Sequence, residues 1–131
     1  LLMRLAKQLS VFLENKPGTL ANMCDQLGAS DINILALSVG DTADYAVVRL
    51  VVDKPEEAIH LLGEAGAIVV ENEVLLVDLE NRIGALGELS HQLSEAGINI
   101  DCAYCAVSDD QPHGVLVLRT ADPAAAMDVL S

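Results

Sequence analysis

Two cysteines stand three apart, Cys102 and Cys105, in the stretch "NIDCAYCAVS", with Cys24 and the histidines His60, His91 and His113 elsewhere in the chain. A Cys-x-x-Cys pair can hold zinc or run thiol–disulfide exchange when a turn brings both sulfurs to one side. Here the intervening residues contain no turn former, and the run reads as a strand, on which residues three apart face opposite ways. A metal or redox site is therefore not expected. All three cysteines, Cys24 included because it falls on a helical apolar stripe, are expected as small buried hydrophobes. His60 and His91 lie on predicted helices near acidic neighbours and His113 in a loop, which suits solvated surface positions. Glu56, Glu57 and Glu64 read as a solvated helix face. No Ser-His-Asp or Cys-His pairing, Walker-type glycine loop or pair of carboxylates for acid–base work can be singled out. No catalytic residue, metal or cofactor is expected.

The remaining pattern is a duplicated loop. "ENKPGTL" at 14–20 recurs as "ENRIGAL" at 80–86, and Val11, Leu13, Gly18, Gln26, Leu27, Ile32, Asn33 and Ile34 recur as Val77, Leu79, Gly84, Gln92, Leu93, Ile98, Asn99 and Ile100. This is an internal repeat. Gly18 has no Cβ, so a ligand can approach the backbone, and the loop opens a helix whose free N–H groups favour a carboxylate. Asn15 and Asn33 offer donors and acceptors suited to the ends of an amino acid, and Leu20 and Ile34 would favour an aliphatic side chain. The plainer reading is that Pro17–Gly18 is a turn and that the asparagines serve their own backbone.

The elements that must position these loops are legible from periodicity. Leu9, Val11 and Leu13 alternate as on a strand in "KQLSVFLE". From Thr19 to about Ala29, Leu20, Met23, Cys24 and Leu27 define one helical face, with Thr19 or Asn15 as cap. "NILALSVG" and "DYAVVRLVV" read as hairpin strands around "DTA". "PEEAIHLLGEAG" opens with Pro and acids and ends at Gly66, as a helix should, and "AIVV" follows as a strand. The second copy repeats the order as "EVLLVDLE", "GALGELSHQLSEAG", "NIDCAYCAVS", "GVLVLRT" and "PAAAMDVLS", with the two extra residues of its hairpin in "DDQPHG". The fold class is α+β: two ferredoxin-like βαββαβ units, antiparallel sheets with helices on one face. The expected domains are 1–71 and 72–131. The second stops before its final strand, so that strand is missing from the given chain or another segment closes the sheet. In "AVVRLVV" (46–52) both faces are apolar apart from Arg49, which calls for cover by a partner subunit or the other copy.

Composition bounds the partners. A net charge of −13 with seven Lys and Arg argues against nucleic acid and against an anionic membrane surface. One Phe, two Tyr and no Trp leave little to stack on bases. No apolar run approaches the ~20 residues of a membrane span, no signal peptide is readable, and an odd number of cysteines fits reduced thiols, so the expected location is the cytoplasm. The opening "LLM" points to Met3 as the natural start.

"VFLENKPGTLANMCDQLGASDINI" and its copy "LVDLENRIGALGELSHQLSEAGINI" resemble the ACT domain, and the whole chain resembles stand-alone tandem ACT proteins. The resemblance implies a non-enzymatic regulatory module binding a small amino acid at the strand-loop-helix site, at an interface between units. It implies contacts from Asn15, Lys16, Pro17, Gly18, Thr19 and Leu20, with Asn33 and Ile34 nearby, and from Asn81, Arg82, Ile83, Gly84, Ala85 and Leu86, with Asn99 and Ile100. Ile83 and Ala85 replace the Pro and Thr of the first loop, which puts equal binding by both copies in doubt. A homodimer or higher homo-oligomer and an unknown regulated protein are the implied partners. The alternatives are a ligand-free adaptor that oligomerises through its sheets and a small hydrolase, which no constellation supports.

Overall fold

The computed structural model describes residues 2–42 and 44–131. Leu1, before the expected start, and Ala43, in the expected "DTA" turn, lie outside the described residues. Among the described residues six strands and four helices follow in the order β1 (Met3–Glu14), α1 (Thr19–Ala29), β2 (Ile34–Asp41), β3 (Tyr45–Val52), α2 (Pro55–Glu64), β4 (Ile68–Glu80), α3 (Ala85–Glu95), β5 (Cys102–Ala106), β6 (His113–Arg119) and α4 (Pro123–Leu130). The strands are antiparallel, and the architecture is α+β with two ferredoxin-like units, as the periodicities imply.

The chain divides into two compact units, Lys7–Asn72 and Leu1–Ala6 with Glu73–Ser131. In the Lys7–Asn72 unit the strand order is β2-β3-β1-β4. Leu9 faces Leu50, and Val11 faces Val48, across the β1–β3 pair. These residues with Val52 meet Met23 and Leu27 of α1 and Ala58 and Leu62 of α2 in one core. Alternation puts every second strand side chain on the helix-facing side, and the i, i+4 spacing of Met23 and Leu27 keeps one stripe of α1 against it. Full burial of Leu9, Leu27 and Leu50 stabilises the unit by about 1.5–3 kcal/mol each. The opposite face of β3 is half-buried at Val47 and Arg49 and buried at Val51. A register shift between Ile34 and Ala36 leaves Leu35 bulged outward on β2.

In the other unit the order is β5-β6-β4-β1. Leu75, Val77 and Leu79 of β4 and Leu116 and Leu118 of β6 pack on Leu89 and Leu93 of α3 and Ala126 and Leu130 of α4, with Met3 and Leu5 against them. The Asp78 N–H donates to the Leu2 carbonyl at 2.9 Å. The start of the chain thus holds the strand position that the sequence reading left empty in the second copy, and residues 1–6 group with that copy instead of with 7–71. "AIVV" and "EVLLVDLE", read as two strands, form the single strand β4, because "EN" between them supplies neither Gly nor Pro to break it.

Candidate ligand-binding site

The loop after β1 is shaped by its own backbone. Gly18 takes φ +92° at the N-cap of α1, a left-handed conformation that favours glycine. No side chain caps this helix end. The Thr19 hydroxyl turns back to the carbonyls of Glu14 at 2.9 Å and Lys16 at 3.2 Å. Asn15 donates its side-chain amide to the Thr42 carbonyl and its N–H to the Asp44 carbonyl. Neither residue is the cap that periodicity suggested: Gly18 holds the N-cap position, Thr19 is already helical with its hydroxyl turned back to the loop, and Asn15 is tied to the β2–β3 hairpin. The first-turn N–H groups of Leu20 and Ala21 meet no acceptor among the described residues, which leaves a helix start suited to a carboxylate. Lys16 sits 3.0 Å from the Glu14 carboxylate, and Leu20 is partly exposed.

Beside this first turn runs a cleft of about 230 Å³ between α1, the end of β1 and the turn from α2 into β4. Leu13, Met23 and Leu62, from the helix-facing side of β1 and from the two helices, give it apolar walls, and Thr19, Asn22 and Gln26 line it along α1. Thr19, Asn22, Met23 and Gln26 share a face because they stand at i, i+3, i+4 and i+7. The side-chain amides of Asn22 and Gln26 engage no partner among the described residues, so their donors and acceptors remain available to a zwitterion. Sequence reasoning passed over Asn22 and Gln26. The recurrence of Gln26 as Gln92 was the one signal that pointed along this helix face.

Asn33 and Ile34 are not brought to the loop within this unit. They follow the C-terminal end of α1, about 16 Å of helix away from Gly18. There the Asn33 N–H donates to the Asp53 carboxylate at 2.9 Å, and Lys54 Nζ donates to the Asp31 carbonyl at 2.7 Å. A shallow depression of about 320 Å³ lined by Gly28, Asp31, Ile32, Asn33, Asp53 and Lys54 marks that end.

The second copy repeats the loop with different chemistry. Gly84 takes φ +87° at the N-cap of α3, again without a side-chain cap. Asn81 donates its amide to the carbonyls of Gln111 at 2.7 Å and Ser108 at 3.2 Å. Arg82 Nε donates to the Glu80 carboxylate at 2.7 Å, and its two terminal nitrogens reach the Glu88 carboxylate. These bonds hold the Glu88 carboxyl below the usual glutamate range and raise the Arg82 guanidinium further above neutrality. The cleft along α3, lined by Leu79, Glu80, Arg82, Ala85, Glu88, Leu89 and Gln92, measures about 100 Å³. Ala85 is buried, Ile83 is fully exposed and Leu86 is partly exposed. Asn99 and Ile100 again lie past the far helix end, where Asn99 donates to the Asp101 carboxylate at 2.9 Å.

The other candidate groups stay apart. Cys102 pairs across from Arg119 and Cys105 from Leu116, so the two sulfurs point to opposite sheet faces. The expectation that the cysteines are buried is corrected: on the edge strand β5 Cys105 is exposed and Cys102 half-buried, and on α1 Cys24 is half-buried at the border of the core. Among the described residues no three His, Cys, Asp or Glu converge as a metal site. His60 is solvated beside Glu64, and His113 lies 3.7 Å from Asp78. Among the described residues no helix is long and apolar enough to cross a membrane.

Comparison with known proteins joins this geometry to a family. The family model described as an ACT domain pair matches residues 3–131. The chain belongs to the ACT domain pair family. ACT domains are regulatory modules that bind amino acids and often oligomerise. This ACT pair is similar to the crystal structure of a protein from Bacteroides thetaiotaomicron, 30% identical, with a TM-score of 0.90 over 98% of this chain and 88% of that one. The regulatory subunit of aspartate kinase from Thermus thermophilus, solved ligand-free, shares the fold at 15% identity, with a TM-score of 0.70 over 98% of this chain and 93% of that one. Its counterpart from Thermus flavus does so at 16% identity and a TM-score of 0.64, over 98% and 93% of the two chains. A search of curated proteins finds no match to this ACT pair.

Proposed function

We propose that this chain is a non-enzymatic regulatory module of the cytoplasm that binds a small amino acid, with an aliphatic side chain favoured. The observation that carries the reading is the first-unit cleft along the first two turns of α1, where apolar walls adjoin the unengaged amides of Asn22 and Gln26. The carboxylate would take the helix start, the ammonium the amide oxygens, and the aliphatic body the surface of Leu13, Met23 and Leu62. The repeated loop residues Asn15, Lys16, Pro17, Gly18, Thr19 and Leu20 then act as the frame of the site, and membership of the ACT pair family supports the ligand class. Regulation follows from linkage: a ligand with different affinity for two arrangements shifts their balance and so the activity of a regulated protein.

A homodimer or larger homo-oligomer is part of the reading. On the edge strand β2, Leu35, Leu37 and Val39 are 42%, 38% and 46% exposed, an apolar row open to pairing with another copy. The same row favours the second reading, a ligand-free adaptor that assembles through its sheets. A thermal-shift screen against each free L-amino acid at millimolar concentration separates them. A ligand at ~100 times its dissociation constant adds ~2.7 kcal/mol of stability, which a melt of this chain resolves. A shift with an aliphatic amino acid that disappears in Gln26→Ala supports the sensor; no shift with any amino acid, beside a concentration-dependent melt, supports the adaptor.

A further inference from the structure

We propose that the two copies have diverged into one open and one latched cleft, and that the latch is the guanidinium of Arg82; this rests on the amino-acid-binding reading of the first cleft. The corresponding positions differ by single exchanges along the repeat: Lys16 and Asn22 in the first copy, Arg82 and Glu88 in the second. Lys16 reaches only Glu14, at 3.0 Å, and does not line the cleft of its unit. A lysine is a single-point donor, and Asn22 gives it no charge to grip. Arg82 spans from Glu80 to the first turn of α3, where its fork meets both oxygens of Glu88. Bidentate pairing of this kind fixes geometry as well as charge. The clasp therefore lies across the start of α3, on the wall of the second cleft itself, which measures about 100 Å³; the first, of about 230 Å³, has the further walls of Leu62 and the α2–β4 turn.

The chemistry differs in the same direction. Glu14 and Glu80 line the two clefts alike; beyond them α1 presents the neutral amides of Asn22 and Gln26, whereas α3 presents the Glu88 carboxylate, paired with Arg82, beside Gln92. A ligand carboxylate approaching the N–H groups of α3 would have to displace Glu88 from its guanidinium. The structure assigns amino-acid binding to the first unit alone, and it makes the Arg82–Glu88 pair the feature that silences the second.

Side-chain amide resonances report each cleft separately in proton–nitrogen correlation spectra of the full chain. The probes are L-leucine, L-isoleucine, L-valine and L-methionine at millimolar concentration. In the wild type, the signals of Asn22 and Gln26 are expected to move with at least one probe while Gln92 stays fixed. In the double variant Arg82→Ala, Glu88→Asn, Gln92 is expected to move with the same probe. Movement of Gln92 in the wild type, or a fixed Gln92 in a folded double variant, overturns the latch. Fixed signals for Asn22 and Gln26 with every probe overturn the binding reading beneath it, and the inference falls with it. Should the double variant lose its signal dispersion, Glu88→Gln removes the anionic end of the clasp at an exposed position and carries the same pair of outcomes.

Discussion

Asn81 donates its side-chain amide to the carbonyl of Gln111 at 2.7 Å and so ties the loop after β4 to the β5–β6 hairpin. Asn15 makes the corresponding tie to Thr42 in the other copy, at 3.3 Å. The duplicated Asn is therefore explained by loop closure in both copies. Asn81→Ala is expected to cost about 1 kcal/mol and to lower the melting temperature by a few degrees. Calorimetry checks this; a melt unchanged from wild type would show that the tie contributes nothing.

Gly18 and Gly84 carry φ of +92° and +87°, and a Cβ added at either would meet no atom within 4 Å. The demand for glycine is thus conformational, with no steric neighbour behind it. Gly18→Ala and Gly84→Ala are each expected to cost about 1–2 kcal/mol, equally in the two copies. Urea titration measures it. Gly18→Val would mix this backbone strain into any loss of ligand response, so Gln26→Ala is the cleaner probe of binding.

Much of this was written in the sequence, and the misses have physical reasons. The loop repeat, the helix stripes and the hairpins follow from local periodicity, so the two ferredoxin-like units could be read directly. The role of Met3–Ala6 could not, because strand partnership across the whole chain leaves no local mark. Continuity of β4 was hidden by the turn-like look of Asn72. The cleft lined by Asn22 and Gln26 escaped because it exists only once α1 meets the α2–β4 turn, and polar residues on an amphipathic helix look like ordinary surface. Asn33 was grouped with the loop by resemblance, whereas a helix separates them within the unit.

Gly114 tests the opposite steric case. A Cβ there would fall 2.4 Å from Val107 Cγ2 and 2.5 Å from the Ala106 carbonyl oxygen. Backbone must move to admit it, and Gly114→Ala is expected to destabilise by about 1–3 kcal/mol. A melt within a degree of wild type would mean that the β5–β6 hairpin yields freely.

The Arg82–Glu88 clasp makes a pH prediction. Because hydrogen bonding from Arg82 lowers the Glu88 carboxyl below its unfolded value of ~4.3, its contribution is present above that value. It is lost as pH falls through the lower folded value. Carboxyl resonances are expected to place the Glu88 midpoint below the ordinary glutamate range in wild type and to restore it to that range in Arg82→Ala. A midpoint unaffected by the substitution would dissolve the clasp as an electrostatic pair.

Binding of one aliphatic amino acid by the first unit is the central claim, and isothermal titration calorimetry of the full chain tests it most directly. Titration with L-leucine, L-isoleucine, L-valine and L-methionine is expected to give heat with at least one, at one ligand per chain, and none in Asn22→Ala, Gln26→Ala. No heat with any of them, or undiminished heat in that variant, would contradict the account.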